Sequence, residues 1–207
     1  MGISAERLRH ALDAIAAREP SFAAALARAG YPEPRISERG FVTLLRAIVG
    51  QQVSIQAAAS IWNKLDLATG GAADPANVAA ASVEQLRAAG LSRMKALYAH
   101  SLAEEVISGR LDFASLPADD EEAIARLVHV KGIGRWTAEI YLLFAEGRED
   151  IWPAGDLAVQ IEIGNILGLG ARPTEKQTRL LAEPWRPYRG AAAIFAWHHR
   201  KMDDLMG

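Results

Sequence analysis

The first candidate site in this chain is the segment 132–134, in which one glycine stands on each side of an apolar residue. One helix is predicted to end near His129, and the next to begin at about Arg135. Glycine permits positive φ and close approach of another backbone, and main-chain amides at the start of a helix attract anions. The segment could therefore bind a phosphate group through its backbone. An ordinary connection between two helices has the same pattern.

Asp156 is the second candidate, at the predicted start of a helix and directly after the loop 152–155. Aspartate is a good N-cap, and capping alone accounts for its position. A carboxylate can also stabilise a developing positive charge, or orient or deprotonate a water molecule. The two roles are compatible, because a capping aspartate holds its carboxylate in a fixed place.

The composition excludes several classes of functional site. The 207 residues include no cysteine, which excludes disulfides, thiolate zinc sites, cysteine nucleophiles and cysteine-ligated iron–sulfur clusters. His10, His100 and His129 lack the spacing of metal ligands. With 23 Lys and Arg against 25 Asp and Glu, the net charge is -2. These counts argue against a strongly basic nucleic-acid binder, although a local basic face is compatible with them.

Hydropathy and the first residues predict a protein of the cytoplasm. No uninterrupted apolar run reaches about 18 residues, so no transmembrane helix is expected. Residues 1–19 carry scattered charges of both signs, which fits neither a signal peptide nor a transit peptide.

Apolar residues recur at helical spacing through nearly the whole chain. Candidate N-caps stand before the helical segments: Ser4, Ser54, Ser82, Ser92, Thr174 and, before the helix predicted over 121–129, either Asp119 or Asp120. Thr174 and Gln177 match the pattern of a capping box. No segment alternates with period two over the length of a strand. The sequence therefore predicts an all-α fold with short connections.

Some expectations concern individual segments. Residues 70–75 are predicted to form a loop, and the last strong helix is predicted over 187–200. The helix after Ser54 is expected to bury four apolar residues: Ala57, Ala58, Ile61 and Leu65. His198 and His199 are expected to place positive charge at the end of the last helix, where it complements the helix dipole.

The segment 130–138, VKGIGRWTA, resembles the hairpin of the helix-hairpin-helix DNA glycosylase superfamily. Asp156 lies 22 positions beyond Gly134 (156 − 134), where that superfamily carries its essential aspartate. Residues 47–54, AIVGQQVS, resemble the Gln-containing turn of the 3-methyladenine-DNA glycosylase II branch, and the segment 185–197 is also similar to this branch. The chain is similar to the compact form that lacks an N-terminal β domain.

The resemblance implies two helical subdomains with a DNA cleft between them. Residues 37–138 would form the central helical bundle, which includes the hairpin. Residues 1–36 and 139–207 would form the second subdomain, which carries Asp156.

The resemblance also implies the site residues. Asp156 would be catalytic, and Trp136 and Trp197 match aromatic positions of the base pocket. Ile140 and Leu157 align with pocket positions that are aromatic in some relatives. The other tryptophans, Trp62, Trp152 and Trp185, are expected in the core.

Contacts with DNA are implied in two segments. Gln51, Gln52 and Ser54 belong to the turn that enters the minor groove, where Gln52 would fill the gap left by the extruded nucleotide. The hairpin residues would hold a phosphate: Gly132, Gly134, Arg135 and Thr137. The family hairpin often carries Na⁺ or K⁺ on main-chain carbonyls, and Val128, Val130 and Ile133 match those positions. No other cofactor is expected.

The residue two places after the second glycine distinguishes relatives that cleave the DNA strand from those that only remove the base. Strand-cleaving relatives carry a lysine there, which attacks the sugar, whereas this chain carries Trp136. The resemblance therefore implies a monofunctional glycosylase without lyase activity, a monomer that removes alkylated bases such as 3-methyladenine and 7-methylguanine from damaged double-stranded DNA. Two alternatives remain open: a glycosylase for deaminated purines, and a non-catalytic helical module that binds distorted or abasic DNA.

Overall fold

This computed structural model describes the backbone of residues 2–206 and the side chains of residues 2–202. The regular secondary structure of these residues is helical. The helices are α1 Ala5–Ala16, α2 Pro20–Ala29, α3 Phe41–Gly50, α4 Ile55–Thr69, α5 Pro75–Ala80, α6 Val83–Ala88, α7 Arg93–Ile107, α8 Asp120–Val128, α9 Arg135–Tyr141, α10 Leu157–Ile166, α11 Glu175–Leu181 and α12 Arg189–Met206. A π-helical turn, Leu142–Glu146, follows α9, and a 3₁₀ turn, Glu183–Trp185, precedes α12. The described residues contain no strand, so the all-α prediction is confirmed.

Side-chain caps start most of these helices, as the sequence predicts. Five predicted caps each accept a hydrogen bond from a main-chain amide in the first turn: Ser4, Ser54, Ser82, Ser92 and Thr174. Of the two candidates for α8, Asp119 is the cap and Asp120 is the first residue of the helix. The capping box of Thr174 with Gln177 is present, and Ser82 forms a second one with Gln85. Each cap satisfies an amide that has no partner within its helix, and this is why the starts of helices are readable from sequence.

Three expectations about segments are wrong in detail. Part of the predicted loop at 70–75 leads into α5, which Asp74 caps and Pro75 begins. In α4 the buried residues are Trp62 and Leu65, whereas the other three predicted core residues of that helix are only partly buried. The last helix begins two residues later than predicted and continues to Met206.

The chain divides into two compact units, Ser37–Tyr141 and a second one formed by Met1–Ile36 with Leu142–Gly207. The sequence placed the boundary at residue 138, within α9, whereas the structure places it at the end of that helix. In the unit Ser37–Tyr141, α7 packs against α3 and α5. Its fully buried side chains include Leu44, Ile48 and Leu102.

The second unit has an aromatic core. The ring of Phe22 lies 4.8 Å from that of Phe195 and 5.7 Å from that of Trp185, and Trp185 lies 5.9 Å from Trp152. Trp152 and Trp185 are buried, as predicted. Helix α10 packs along α12 beside this core, so the first residue before α10, Asp156, has a rigid support.

None of the described helices is both long enough and apolar enough to span a bilayer.

Candidate functional site

Asp156 caps α10, and its carboxylate is fixed at the start of that helix. Oδ1 accepts a hydrogen bond of 2.9 Å from the Val159 amide. The loop before it is buried from Ile151 to Ala154, and Gln160 Nε2 donates to the Ala154 carbonyl at 2.8 Å. The predicted cap is confirmed. Because the loop and the helix are both anchored, the half-buried carboxylate has little freedom to move.

Two aromatic rings lie beside this carboxylate within the same unit. The indole Nε1 of Trp197 donates to Asp156 Oδ1 at 3.2 Å, and the Trp197 ring lies 5.7 Å from that of Phe144. The guanidinium of Arg35 lies over the Phe144 ring, 4.8 Å from its centroid. Trp197, a predicted pocket residue, is therefore in direct contact with Asp156. Phe144 and Arg35 were not predicted, because nothing in their local sequence separates them from core and surface residues.

The hairpin between α8 and α9 is anchored by Ile133, which is buried and donates through its amide to the Val130 carbonyl at 3.1 Å. Gly132 has φ +88, and a Cβ at this position would lie 2.3 Å from Cγ of Tyr98. Glycine is therefore required there for both reasons. Gly134 does not have positive φ, and a Cβ there would meet no atom within 4 Å.

The amides of Gly132 and Gly134 keep their hydrogen-bonding capacity. Among the described residues, neither amide donates to an acceptor within the protein. Thr137 is half-buried in the first turn of α9, directly beyond them. The turn can therefore offer two main-chain donors and a hydroxyl to an anion.

Arg135, at the start of α9, is already engaged by two carboxylates. It contacts Glu121 at 2.5 Å and Glu139 at 2.9 Å, and Glu139 is buried. Hydrogen bonding to Glu121, followed by the charge of Glu139, raises the pKa of Arg135. A phosphate at Arg135 would have to compete with these carboxylates, so the structure favours the hairpin amides over this side chain as the anion contact.

The turn 50–54 joins α3 to α4 and contains the two predicted glutamines. Gln51 Nε2 donates to the Gly132 carbonyl at 3.0 Å, so it holds the hairpin. Gln52 is exposed and has φ +56, and no other non-glycine residue in the described part of the chain has positive φ. Ser54 caps α4. An exposed glutamine in a left-handed conformation is strained, and such strain concentrates at functional sites.

The remaining predicted pocket residues lie on both units. Trp136 and Ile140 are on α9 in the unit Ser37–Tyr141, where Trp136 is 49% exposed and Ile140 half-buried. Leu157 follows Asp156 at the first position of α10 and is 55% exposed.

The prediction for His198 and His199 is wrong. The helix continues beyond them to Met206, and His199 is buried, with Nδ1 2.9 Å from Glu162 Oε2. His198 Nε2 lies 2.9 Å from the Ala29 carbonyl. Both histidines therefore hold helices together inside the second unit, rather than supplying charge at the end of a helix.

The carbonyls predicted to hold a monovalent cation are chemically suited to one. Val128 ends α8, where carbonyls lack partners within the helix. The Val130 carbonyl accepts the Ile133 amide and has a second lone pair. Hard cations prefer such oxygen ligands. Elsewhere in the described chain, no group of three His, Cys, Asp or Glu side chains could hold a metal ion.

A family model described as "HhH-GPD superfamily base excision DNA repair protein" matches residues 45–187. The chain belongs to this superfamily. The match includes the turn 50–54, the hairpin and Asp156, and it confirms the resemblance drawn from those three segments.

Individual superfamily members resemble the chain over most of its length. A crystal structure of DNA-3-methyladenine glycosidase from Bacillus halodurans has a TM-score of 0.85 and 32% identity, and covers 94% of this chain and 91% of its own. The 3-methyladenine DNA glycosylase of Schizosaccharomyces pombe, solved with abasic DNA, has a TM-score of 0.74 and 30% identity, covering 89% and 91%. DNA-3-methyladenine glycosylase 1 of the same yeast is 34% identical over 165 residues, which are 78% of this chain and 72% of the relative.

Proposed function

We propose that this superfamily member is a monofunctional DNA glycosylase that removes alkylated bases, of the 3-methyladenine and 7-methylguanine type, from double-stranded DNA. The observation that carries the proposal is Asp156, fixed by the Val159 amide and the Trp197 indole. The names of the relatives, which are 3-methyladenine glycosylases, support the substrate class.

The carboxylate of Asp156 suits hydrolysis of an N-glycosidic bond. As the bond from C1′ to the base nitrogen breaks, its electron pair leaves with the base, and positive charge develops on the sugar. A carboxylate beside the sugar stabilises that charge, as in glycoside hydrolysis. Water then adds to C1′ and loses a proton to Asp156 or to solvent. Alkylated purines already carry positive charge, so they depart without protonation.

The partly exposed Trp197 indole suits recognition of such a base. A cationic base is attracted to the face of an indole by about 0.5–2 kcal/mol. Trp197 lies beside Asp156 within its own unit. Trp136 and Ile140 belong to the unit Ser37–Tyr141. Leu157 adds an exposed apolar side chain next to Asp156.

Two turns of the unit Ser37–Tyr141 suit the binding of DNA from which a base has been extruded. Extrusion costs a few kcal/mol, and less at a damaged pair. Gln52 is exposed and strained, as expected of a side chain that fills the gap. The amides of Gly132 and Gly134 would hold a phosphate, and a cation such as Na⁺ or K⁺ on the carbonyls of Val128, Val130 and Ile133 would add positive charge there.

We further propose that the protein has no lyase activity and acts as a monomer. Formation of a Schiff base needs an amine at C1′, and the position at which lyase relatives carry lysine holds Trp136. No side chain there can form the covalent intermediate. The monomer is checked by light scattering of the protein alone and with DNA.

Base release from methylated duplex DNA tests the proposal. Free 3-methyladenine and 7-methylguanine are measured by mass spectrometry, strand breaks on denaturing gels, and covalent complexes by borohydride trapping. Wild type should release bases without enzyme-dependent breaks or trapped complex. Asp156→Asn should lose at least about a hundredfold in rate and keep its melting temperature, because asparagine is an equally good cap.

Other outcomes would redirect the proposal. Release at the wild-type rate by Asp156→Asn would remove Asp156 from the reaction. A trapped complex would show a lyase. A folded wild type that binds abasic DNA but releases no alkylated base would favour either the binding module or another lesion, and release of hypoxanthine from deaminated DNA would identify the latter.

A further inference from the structure

Lys95 is a half-buried lysine of α7 that reaches the turn carrying Gln52. Its Nζ donates to the Val49 carbonyl at 2.9 Å and to the Gln51 carbonyl at 2.5 Å. Both carbonyls lie at the C-terminal end of α3, where the helix dipole favours a cation. Burial lowers the pKa of Lys95. Two acceptors of a single turn therefore hold the ammonium in one position. Its partial burial has a desolvation cost.

The bond to Gln51 bears directly on the conformation of Gln52. The carbonyl of one residue and the N–H of the next belong to one rigid peptide plane. Rotation of that plane would change ψ of Gln51, now 127°, together with φ of Gln52, now 56°. A left-handed glutamine is strained by about 1–2 kcal/mol, so an unrestrained plane would tend to rotate. By holding the Gln51 carbonyl, Lys95 opposes that rotation.

The next turn of α7 supports the hairpin. Tyr98 lies against Gly132, at a distance that leaves no room for a Cβ. Gln51 Nε2 donates to the Gly132 carbonyl and closes the connection between the two turns. Helix α7 therefore contacts the turn 50–54 through Lys95 and the hairpin through Tyr98, two residues three positions apart on one face.

We propose that Lys95 is a positioning residue for base extrusion: it holds the 51–52 peptide plane so that Gln52 projects as the side chain that fills the gap in DNA. This inference rests on the proposed role of Gln52. The alternative is that Lys95 only caps α3 and contributes stability. The two readings differ in whether the effect of Lys95 on base release depends on the Gln52 side chain.

A double-mutant cycle on base release separates these readings. Lys95→Met keeps most of the side chain but removes the donors. It should slow single-turnover release from duplex DNA about tenfold, the size of one lost hydrogen bond to a charged group. Lys95→Arg, which can still donate, should restore most of the rate. In a Gln52→Ala background, Lys95→Met should cause no further loss. An equal loss in both backgrounds would overturn the proposal.

Hydrogen exchange of the DNA-free protein gives a readout that does not depend on activity. Lys95→Met should speed the exchange of the amides at 51–53. The control is Lys64→Met, at an exposed position of α4, which should leave the exchange of these amides unchanged. Unchanged exchange at 51–53 in Lys95→Met would also overturn the proposal. If wild type released no base while Lys95→Met loosened the turn, the proposed glycosylase activity would fail and the local role of Lys95 would stand.

Discussion

Trp197 and Asp156 share a hydrogen bond that joins the middle of α12 to the start of α10. The indole Nε1 donates to Asp156 Oδ1, the same oxygen that accepts the capping bond from the Val159 amide. One donor comes from the aspartate's own helix and the other from the helix packed against it. The carboxylate is therefore oriented by the packing of α10 on α12 and not by the cap alone.

Trp197→Phe should separate orientation of the carboxylate from aromatic contact. Phenylalanine keeps an aromatic ring but removes the N–H, and a hydrogen bond to a charged group contributes about 1.5–3 kcal/mol. We expect kcat for base release to fall about tenfold or more. Release of 3-methyladenine under saturating DNA is the measurement.

Trp152→Phe is the matched control. Trp152 Nε1 donates to the Thr178 carbonyl at 3.0 Å in the buried core of the same unit. This variant should lose stability in urea while keeping kcat at temperatures where it is folded. If Trp197→Phe released bases at the wild-type rate, the indole N–H would have no part in the reaction.

The two hairpin glycines should respond differently to a methyl group. Gly132→Ala places a Cβ against Tyr98 in a residue with positive φ, and should lower the free energy of unfolding by about 3 kcal/mol. Gly134→Ala meets no protein atom and should change it by less than about 0.5 kcal/mol. Urea unfolding measures both.

Gly134→Ala should nevertheless weaken the binding of abasic duplex DNA. Its new methyl group would project from the exposed surface of the turn, where a phosphate would approach the amide. We expect Kd, measured by fluorescence anisotropy, to rise about tenfold. Unchanged affinity in a folded Gly134→Ala would place the phosphate contact elsewhere.

The buried pair of Glu162 and His199 should matter for stability and not for chemistry. His199→Ala leaves a carboxylate that is 3% exposed without the imidazole donor 2.9 Å away, so about 1.5–3 kcal/mol of unfolding free energy should be lost. Replacing both residues by leucine should recover part of it. Urea midpoints at constant m-value test this. A loss below about 1 kcal/mol would mean that water or Arg28, which lies 2.6 Å from His199, compensates the carboxylate.

Gln52 should show a conflict between stability and activity. Gln52→Gly relieves the left-handed strain and should raise the free energy of unfolding by up to about 1 kcal/mol, whereas Gln52→Ala keeps the strain. Both variants lack the side chain, so both should release bases from duplex DNA more slowly than wild type. Parallel urea and base-release measurements check this, and a fully active Gln52→Ala would exclude the gap-filling role.

Local features of this protein could be predicted from sequence, because the physics that sets them is local. The caps at Ser4, Ser54 and Asp156 depend on one side chain and the next three amides. The hairpin glycines stand out by their spacing, whereas the proposed role of Asp156 came from the resemblance to the superfamily.

The residues that hold the site were not predicted, because their contacts join distant parts of the chain. Lys95 and Tyr98 look like ordinary positions of an amphipathic helix until α3 and the hairpin are folded against them. From its sequence context, Glu139 looks like an exposed carboxylate on a helix. It is buried in the structure, where Arg135 forms an ion pair with it. For His199, the error came from expecting the helix to end near residue 200.

The double use of Asp156, as helix cap and as proposed reactive group, has a consequence for mutation. Asparagine, serine and threonine also cap helices, so the fold would tolerate four residue types at a position where the proposed reaction would need one. A single nucleotide change could thus yield a chain that folds, persists and still engages damaged DNA without repairing it. Such a chain would occupy lesions and shield them from active copies, so its effect in a cell would be dominant rather than a simple loss.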